Sequence, residues 1–351
     1  MAPRPGSSRA RRALLTALVT ASVALPVSGA ARPAAVPAPA PAALAPLGTA
    51  RPSALEARYA AGRKEIRAAR DMAARHGDRR RAASLTAMAA PGRTFLMFDG
   101  RDGGRSVEVF GDLSRAARVA VLVPGAGVGL DHYGRPRRDA EVLLGELGSG
   151  SAVVVWLGYR TPGLLSPSSL TAGRADGAAP ALRAFVRELG RARPAARVSL
   201  LCHSYGSVVC ARAASGLDVA DLVLYGSPGT GAGSAAELRT PATVRAGLGG
   251  DDWIARVPHL AVPLPFVTVG FGTDPVSPRF GAEVFDAGDA GHSDYLKPGS
   301  VSLHSIVAIV TATETSAGTE AGAGTGTGTG TETGAKTSAG TGTGTAGGRH
   351  A

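Results

Sequence analysis

The sequence predicts an α/β architecture, an open, mostly parallel, doubly wound sheet behind a leading antiparallel hairpin. Three observations predict it. Apolar runs with no polar alternation, "VAVLVP", "AVVVWLGY" and "RVSLLC", suit strands buried on both faces. Amphipathic stretches between them, "RPRRDAEVLLGELG" and "PALRAFVRELGRA", suit the helices that cover such a sheet. Ahead of both, strands at 95–98 and 107–110 flank "DGRDGG", whose Gly and Asp residues supply a hairpin turn.

The later elements follow the same rhythm. After "RVSLLC" come a small-residue helix, "GSVVCARAA", and a strand, "DLVLYG". An irregular stretch at 229–262 falls where a cap over the sheet is commonly inserted. It is followed by "LPFVTVGFG" and "AEVFDAG", read as strands, and by a last helix, "VSLHSIVAIVTA".

The chain of 351 residues divides by composition. Residues 1–30 combine four arginines, an apolar run too short to anchor in a bilayer and a small-x-small site at Ser28-Gly29-Ala30, so they read as a signal peptide. The Arg11-Arg12 pair leaves a twin-arginine route open. Removal of the leader near Ala30 implies a secreted or extracytoplasmic protein. Residues 31–52 are a Pro/Ala-rich linker, 53–92 a basic helical segment, 93–313 the catalytic-size domain, and 314–351 a Thr/Gly-rich tail expected to be disordered.

The formal charge of +11 resides wholly in residues 1–90, with 15 Lys and Arg against 4 Asp and Glu. The remainder is balanced, which argues against a nucleic-acid protein. The arginines of 51–81 read as a solvated face, with contact to an anionic cell envelope as the alternative. Cys202 would end a strand and Cys210 lie about two turns into the next helix. That spacing is expected to exceed the roughly 7 Å between Cα atoms that a bridge allows, so both read as small buried hydrophobes. The histidines lack ligand spacing and the cysteines form no C-x-x-C, so neither metal nor cofactor is expected.

Chemistry concentrates in "LLCHSYGSVV". Ser204 follows a buried strand and precedes a helix, with Gly206 two residues on, which matches the nucleophile elbow of the α/β-hydrolase fold except that Cys202 replaces the first glycine. In this fold the acid and then the base follow the nucleophile in sequence. Asp274, at the end of the strand "LPFVTVGFG", is the expected acid, and His292 in "AGHSDY", after the next strand, the expected base. Asp286 and Asp289 lie too near the base, His304 falls within the last helix, and His203 reads as structural. Backbone N–H groups of Tyr205, and of Ala126 with its neighbour Gly127 in the loop "PGAGVGLDHY", are expected to receive the oxyanion. That loop lacks the Lys-Ser/Thr of a phosphate-binding loop. Trp156, Tyr159 and Trp253 are candidate walls of the substrate site.

The segments "VAVLVPGAGVGLDHY", "VVVWLGYRTP", "LLCHSYGSVV", "DLVLYGSPG", "VGFGTDPVSPRFGAEVF" and "AGHSDYLKPGSVSL" together resemble an actinobacterial group of secreted α/β-hydrolases long filed as a domain of unknown function. The resemblance runs over about 93–312. It implies the fold and a Ser204, Asp274, His292 triad without implying a substrate. The expected activity is hydrolysis of a carboxylic ester, small or lipid, through an acyl-enzyme intermediate. The alternatives are an envelope acyltransferase and a non-catalytic envelope-binding protein on the same scaffold.

Overall fold

The computed structural model describes residues 36–312. Residues 1–35 and 313–351, with the expected signal peptide, the start of the Pro/Ala-rich linker and the expected disordered Thr/Gly tail, lie outside the described residues.

Eight strands form one sheet in the order β1-β2-β4-β3-β5-β6-β7-β10. The hairpin β1 (Thr94–Asp99) and β2 (Arg105–Gly111) is antiparallel, and β2 is antiparallel to β4 (Ser151–Leu157). From β4 onward, β3 (Arg118–Val123), β5 (Arg197–His203), β6 (Asp221–Tyr225), β7 (Thr243–Gly247) and β10 (Glu283–Val284) are all parallel. Every residue of β4 and β6 is buried, as strands covered on both faces require.

The apolar side chains divide into two clusters, one on each face of the sheet. One holds α4 (Gly173–Ala192) and α5 (Tyr205–Ala213); the other holds α3 (Gly134–Leu147) and α6 (Val301–Thr311). The basic segment is not a loose appendage to this core. Its first helix, α1 (Pro52–Arg75), starts in one cluster with Leu55 and Tyr59 and ends in the other with Ile66, Ala69 and Ala73, so it straddles the β1 edge. Gly62 makes this crossing possible, because a Cβ there would lie 2.8 Å from the Phe95 carbonyl oxygen. A helix over an edge strand also shields its unpaired backbone groups. The second helix, α2 (Arg79–Met88), buries Leu85 and Met88, and Leu47 and Ala50 of the preceding linker are buried as well.

Many arginines of the segment are engaged in ion pairs. Arg58 pairs with Glu188, and Arg81 binds both carboxylate oxygens of Asp131 at 2.6 and 2.8 Å. Arg93, just beyond it, holds the buried Glu108 in the same bidentate way.

Two expected elements exchange roles. The stretch 229–262 is not a cap, since it contains β7, a strand of the main sheet. Its "TVRAG" is no apolar run. It is held instead by charge: Arg245 on β7 and Arg197 on β5 both reach Asp221, a fully buried residue of β6, at 3.4 and 2.9 Å, and Arg245 also pairs with Glu283 of β10. Conversely, "LPFVTVGFG" is no core strand. It contributes to a small separate hairpin, β8 (Val262–Pro263) with β9 (Thr268–Val269), because Pro265, with Pro263 just before it, and the glycines at 270 and 272 suit a turn better than a central strand.

Candidate active site

Strand β5 delivers Ser204 to the carboxyl edge of the sheet, where the chain turns directly into α5. Ser204 takes φ 54° and ψ −126°, a conformation that costs a non-glycine residue about 1–3 kcal/mol. The surroundings enforce it. The Ser204 N–H donates to the Tyr225 carbonyl at 3.0 Å, and the Ser207 hydroxyl donates to the Cys202 carbonyl at 3.0 Å. Any side chain on Gly206 would run into the Val123 carbonyl, and one on Gly125 would lie 2.7 Å from the Ser204 Cβ.

Cys202 and Cys210 are joined in a disulfide, contrary to the expectation of two free thiols, with Cα atoms 6.4 Å apart. The turn at Ser204 sends α5 back along β5. Counting residues from the turn therefore overstates the distance, since six positions of helix rise only about 9 Å and run beside the strand rather than away from it.

The Ser204 hydroxyl lies 3.0 Å from His292 Nε2, and His292 Nδ1 lies 2.9 and 3.0 Å from the two oxygens of Asp252. With Nδ1–H donating to the carboxylate, Nε2 is left to accept from the serine. Burial is the largest influence on Asp252 and pushes its carboxyl up. The hydrogen bonds from His292, the Ile254 N–H and the Tyr295 hydroxyl together outweigh it, and hold the group below the usual carboxylate range. The Gly249 N–H in turn donates to the Tyr295 hydroxyl at 3.0 Å, which aims that proton at Asp252. Gly226, at φ 56°, leaves room for the pair: a Cβ there would stand 2.9 Å from Asp252 Oδ2 and 3.3 Å from His292 Nδ1.

The structure thus brings Ser204 and His292 together and leaves Asp274 apart from them. Asp274 lies 3.9 Å from His259 Nε2 and accepts from the Val276 N–H within its own turn. The reason is the exchange of strands: the loop that reaches His292 leaves β7, and Asp252 stands on it five residues after Gly247. In sequence, the one signal for Asp252 is the turn "GLGGDDW" after a short extended stretch.

His203 shares in the site. Its Nε2 donates to the His292 carbonyl at 2.7 Å, and its ring packs 4.8 Å from the His292 ring. Burial, then the nearby His292 and Arg135, push it down to about 3, so it remains a neutral donor. His304 sits exposed on α6.

Of the expected oxyanion donors, Gly127 is excluded because its N–H donates to the Pro162 carbonyl at 2.9 Å. Among the described residues, the N–H groups of Tyr205 and Ala126 donate to no protein acceptor. Trp156 and Tyr159 are not pocket walls either. Both are buried in the core, and the Tyr159 hydroxyl donates to the Pro124 carbonyl, bracing the glycine loop from behind. Trp253 is half exposed with its ring 4.8 Å from that of His292, at the mouth of the site.

Beneath His292, on the α3 side, a recess is lined by His203, Tyr225, Arg135 and Asp139. Burial raises the Asp139 carboxyl to about 6, with Arg135 and Arg138 opposing. Its ionisation therefore weakens the fold as pH rises from about 4 through 6. Asp139→Asn is expected to gain on the order of 1–2 kcal/mol at pH 8, below the nearly 3 that the full shift implies because the group is partly solvated, and nothing at pH 4. Urea midpoints of both proteins at the two pH values check this.

The sheet order and the strand–Ser204–helix turn decide the fold, and residues 99–262 match the model of a family described as alpha/beta hydrolase. The fold is that of the α/β-hydrolases. An uncharacterized protein of Mycobacterium tuberculosis is 28% identical over 253 residues, which are 62% of this chain and 38% of the relative. The chain thus spans less than two fifths of that relative's length. A second, from Mycobacterium bovis, is 32% identical over 176 residues, 45% of this chain and 66% of the relative. Among solved α/β-hydrolase structures, an a/b serine hydrolase without lid from Xanthomonas campestris is 20% identical with a TM-score of 0.40, over 63% of this chain and 93% of its own. Esterase LipW from Mycobacterium marinum is 18% identical with a TM-score of 0.38, over 70% and 88%.

Proposed function

We propose that the protein is a serine hydrolase that cleaves a carboxylic ester through an acyl-enzyme, with Ser204 as nucleophile, His292 as base and Asp252 as the acid that orients it. The observation that carries this reading is the unbroken hydrogen-bonded chain from the Ser204 hydroxyl through both nitrogens of His292 to Asp252, on a strained strand-to-helix turn. As Ser204 attacks the ester carbonyl, its proton passes to Nε2, and the ionised Asp252 stabilises the imidazolium. The proton then goes to the leaving alcohol, and water repeats the sequence on the acyl-enzyme. The N–H groups of Tyr205 and Ala126, without protein acceptors, are the donors for the oxyanion.

The basic, apolar leader and the Cys202–Cys210 bridge both support action after export, since disulfides persist in oxidising compartments. A fluorophosphonate probe tests the chemistry. Wild type is expected to be labelled at Ser204, and Ser204→Ala and His292→Ala to be unlabelled. Equal labelling of wild type and Ser204→Ala overturns the reading.

A further inference from the structure

Two loops rise beside the site and carry apolar side chains into solvent. Leu165 and Phe266 are fully exposed, and Leu164, Leu170 and Leu264 are more than half exposed. Phe266 sits in the two-residue turn between Leu264 and Val267, whose backbones bond to each other in both directions. These side chains belong to one rim, because the Gly270 N–H of the hairpin donates to the Leu170 carbonyl of the other loop at 2.8 Å. The rim borders the chemistry. Leu164 packs where a side chain on Gly127 would stand, beside the oxyanion loop, and Trp253 leans on His292.

Water-soluble surfaces seldom keep so many neighbouring large apolar groups exposed without an occupant. The charge pattern indicates which occupant. Residues 161–172 carry no charged side chain, and 253–272 carry Arg256 without a single carboxylate. Arg160 flanks the first loop and Arg256 stands in the second segment, both exposed, while the nearest carboxylates, Asp176, Asp251, Asp252 and Asp274, fall outside the two apolar segments, so the charge nearest the exposed tips is cationic, which complements an anionic lipid surface. No helix among the described residues is long and apolar enough to cross a membrane, so the contact is one of insertion from the side.

We infer that the tips at Leu165 and Phe266 dock the enzyme on an anionic lipid–water interface, with Trp253 and Ser204 facing the surface. Resting on the hydrolase reading, this makes the substrate an ester presented in that interface, whose acyl chain reaches Ser204 along the rim.

Vesicle flotation with phosphatidylglycerol or phosphatidylcholine tests docking independently of catalysis. Trp253 serves as the reporter, because the other tryptophan, Trp156, is buried. Wild type and Ser204→Ala are both expected to float with phosphatidylglycerol vesicles with a blue shift of Trp emission, and several-fold less with phosphatidylcholine. Leu165→Asp/Phe266→Asp is expected to partition at least 10-fold less, while keeping fluorophosphonate labelling and turnover of soluble p-nitrophenyl acetate, which shows that it is folded. A wild type that stays in solution with both vesicles, or a double variant that floats as well as wild type, overturns the proposal. Loss of labelling alone would strike the hydrolase reading and leave the docking surface standing.

Discussion

Asp252→Asn is expected to lower kcat by about 10³–10⁴ with little change in KM, and Asp274→Asn to stay within about threefold of wild type. The amide keeps the shape of Asp252 and its acceptor for the Ile254 N–H, but presents an N–H donor toward His292 Nδ1. The imidazole must then carry its proton on Nε2, where it can no longer accept from Ser204, and the imidazolium loses its counter-charge. Asp274 has no such contact, since its carboxylate serves His259 and its own turn. Steady-state turnover of p-nitrophenyl acetate separates the two, with circular dichroism to show that each variant is folded. A large loss in Asp274→Asn with none in Asp252→Asn would reverse the assignment of the acid.

The second large effect concerns the bridge under the nucleophile turn. Cys202→Ala/Cys210→Ala is expected to lose about 2–3 kcal/mol of stability, the chain-entropy value for a loop closed over a separation of 8 residues. Both positions are fully buried, so solvent access adds nothing to the effect. The folded state loses a strap between β5 and α5, the two elements that hold Ser204 at its positive φ. Urea unfolding should show a lower midpoint, and wild type unfolded in dithiothreitol should approach the double variant. A difference below about 0.5 kcal/mol would show that the bridge does not constrain the chain.

The strands that the sequence reveals are those buried by apolar packing. β3 to β6 read as continuous hydrophobic runs because both of their faces are covered, and their order alone brings Ser204 to the sheet edge. β7 escaped because its place in the sheet is secured by Arg245 and Asp221, and a pattern of hydrophobicity does not register an ion pair. The misplaced acid follows from that one strand: once "LPFVTVGFG" stands in for β7, the carboxylate at its end stands in for Asp252. His292 was legible because few histidines follow Ser204 and it lies in the loop after the last short strand. The disulfide was not, because linear spacing says nothing about a helix that doubles back. Trp156 and Tyr159 show the converse, aromatic residues at a strand end that serve packing, with Tyr159 fixing the Pro124 carbonyl rather than a substrate.

The grip of Arg81 on Asp131 places a residue of the N-terminal helices against the 3₁₀ turn Leu130–His132, immediately downstream of the loop that holds Ala126. Trimming the protein to begin at its first strand would therefore do more than remove a charged segment. It would expose the underside of the sheet edge and release one end of the loop that carries Ala126, the N–H proposed to receive the oxyanion. On the proposed hydrolase reading, tags, fusions and proteolytic nicks between 53 and 92 are accordingly expected to lower turnover of p-nitrophenyl acetate before they change solubility.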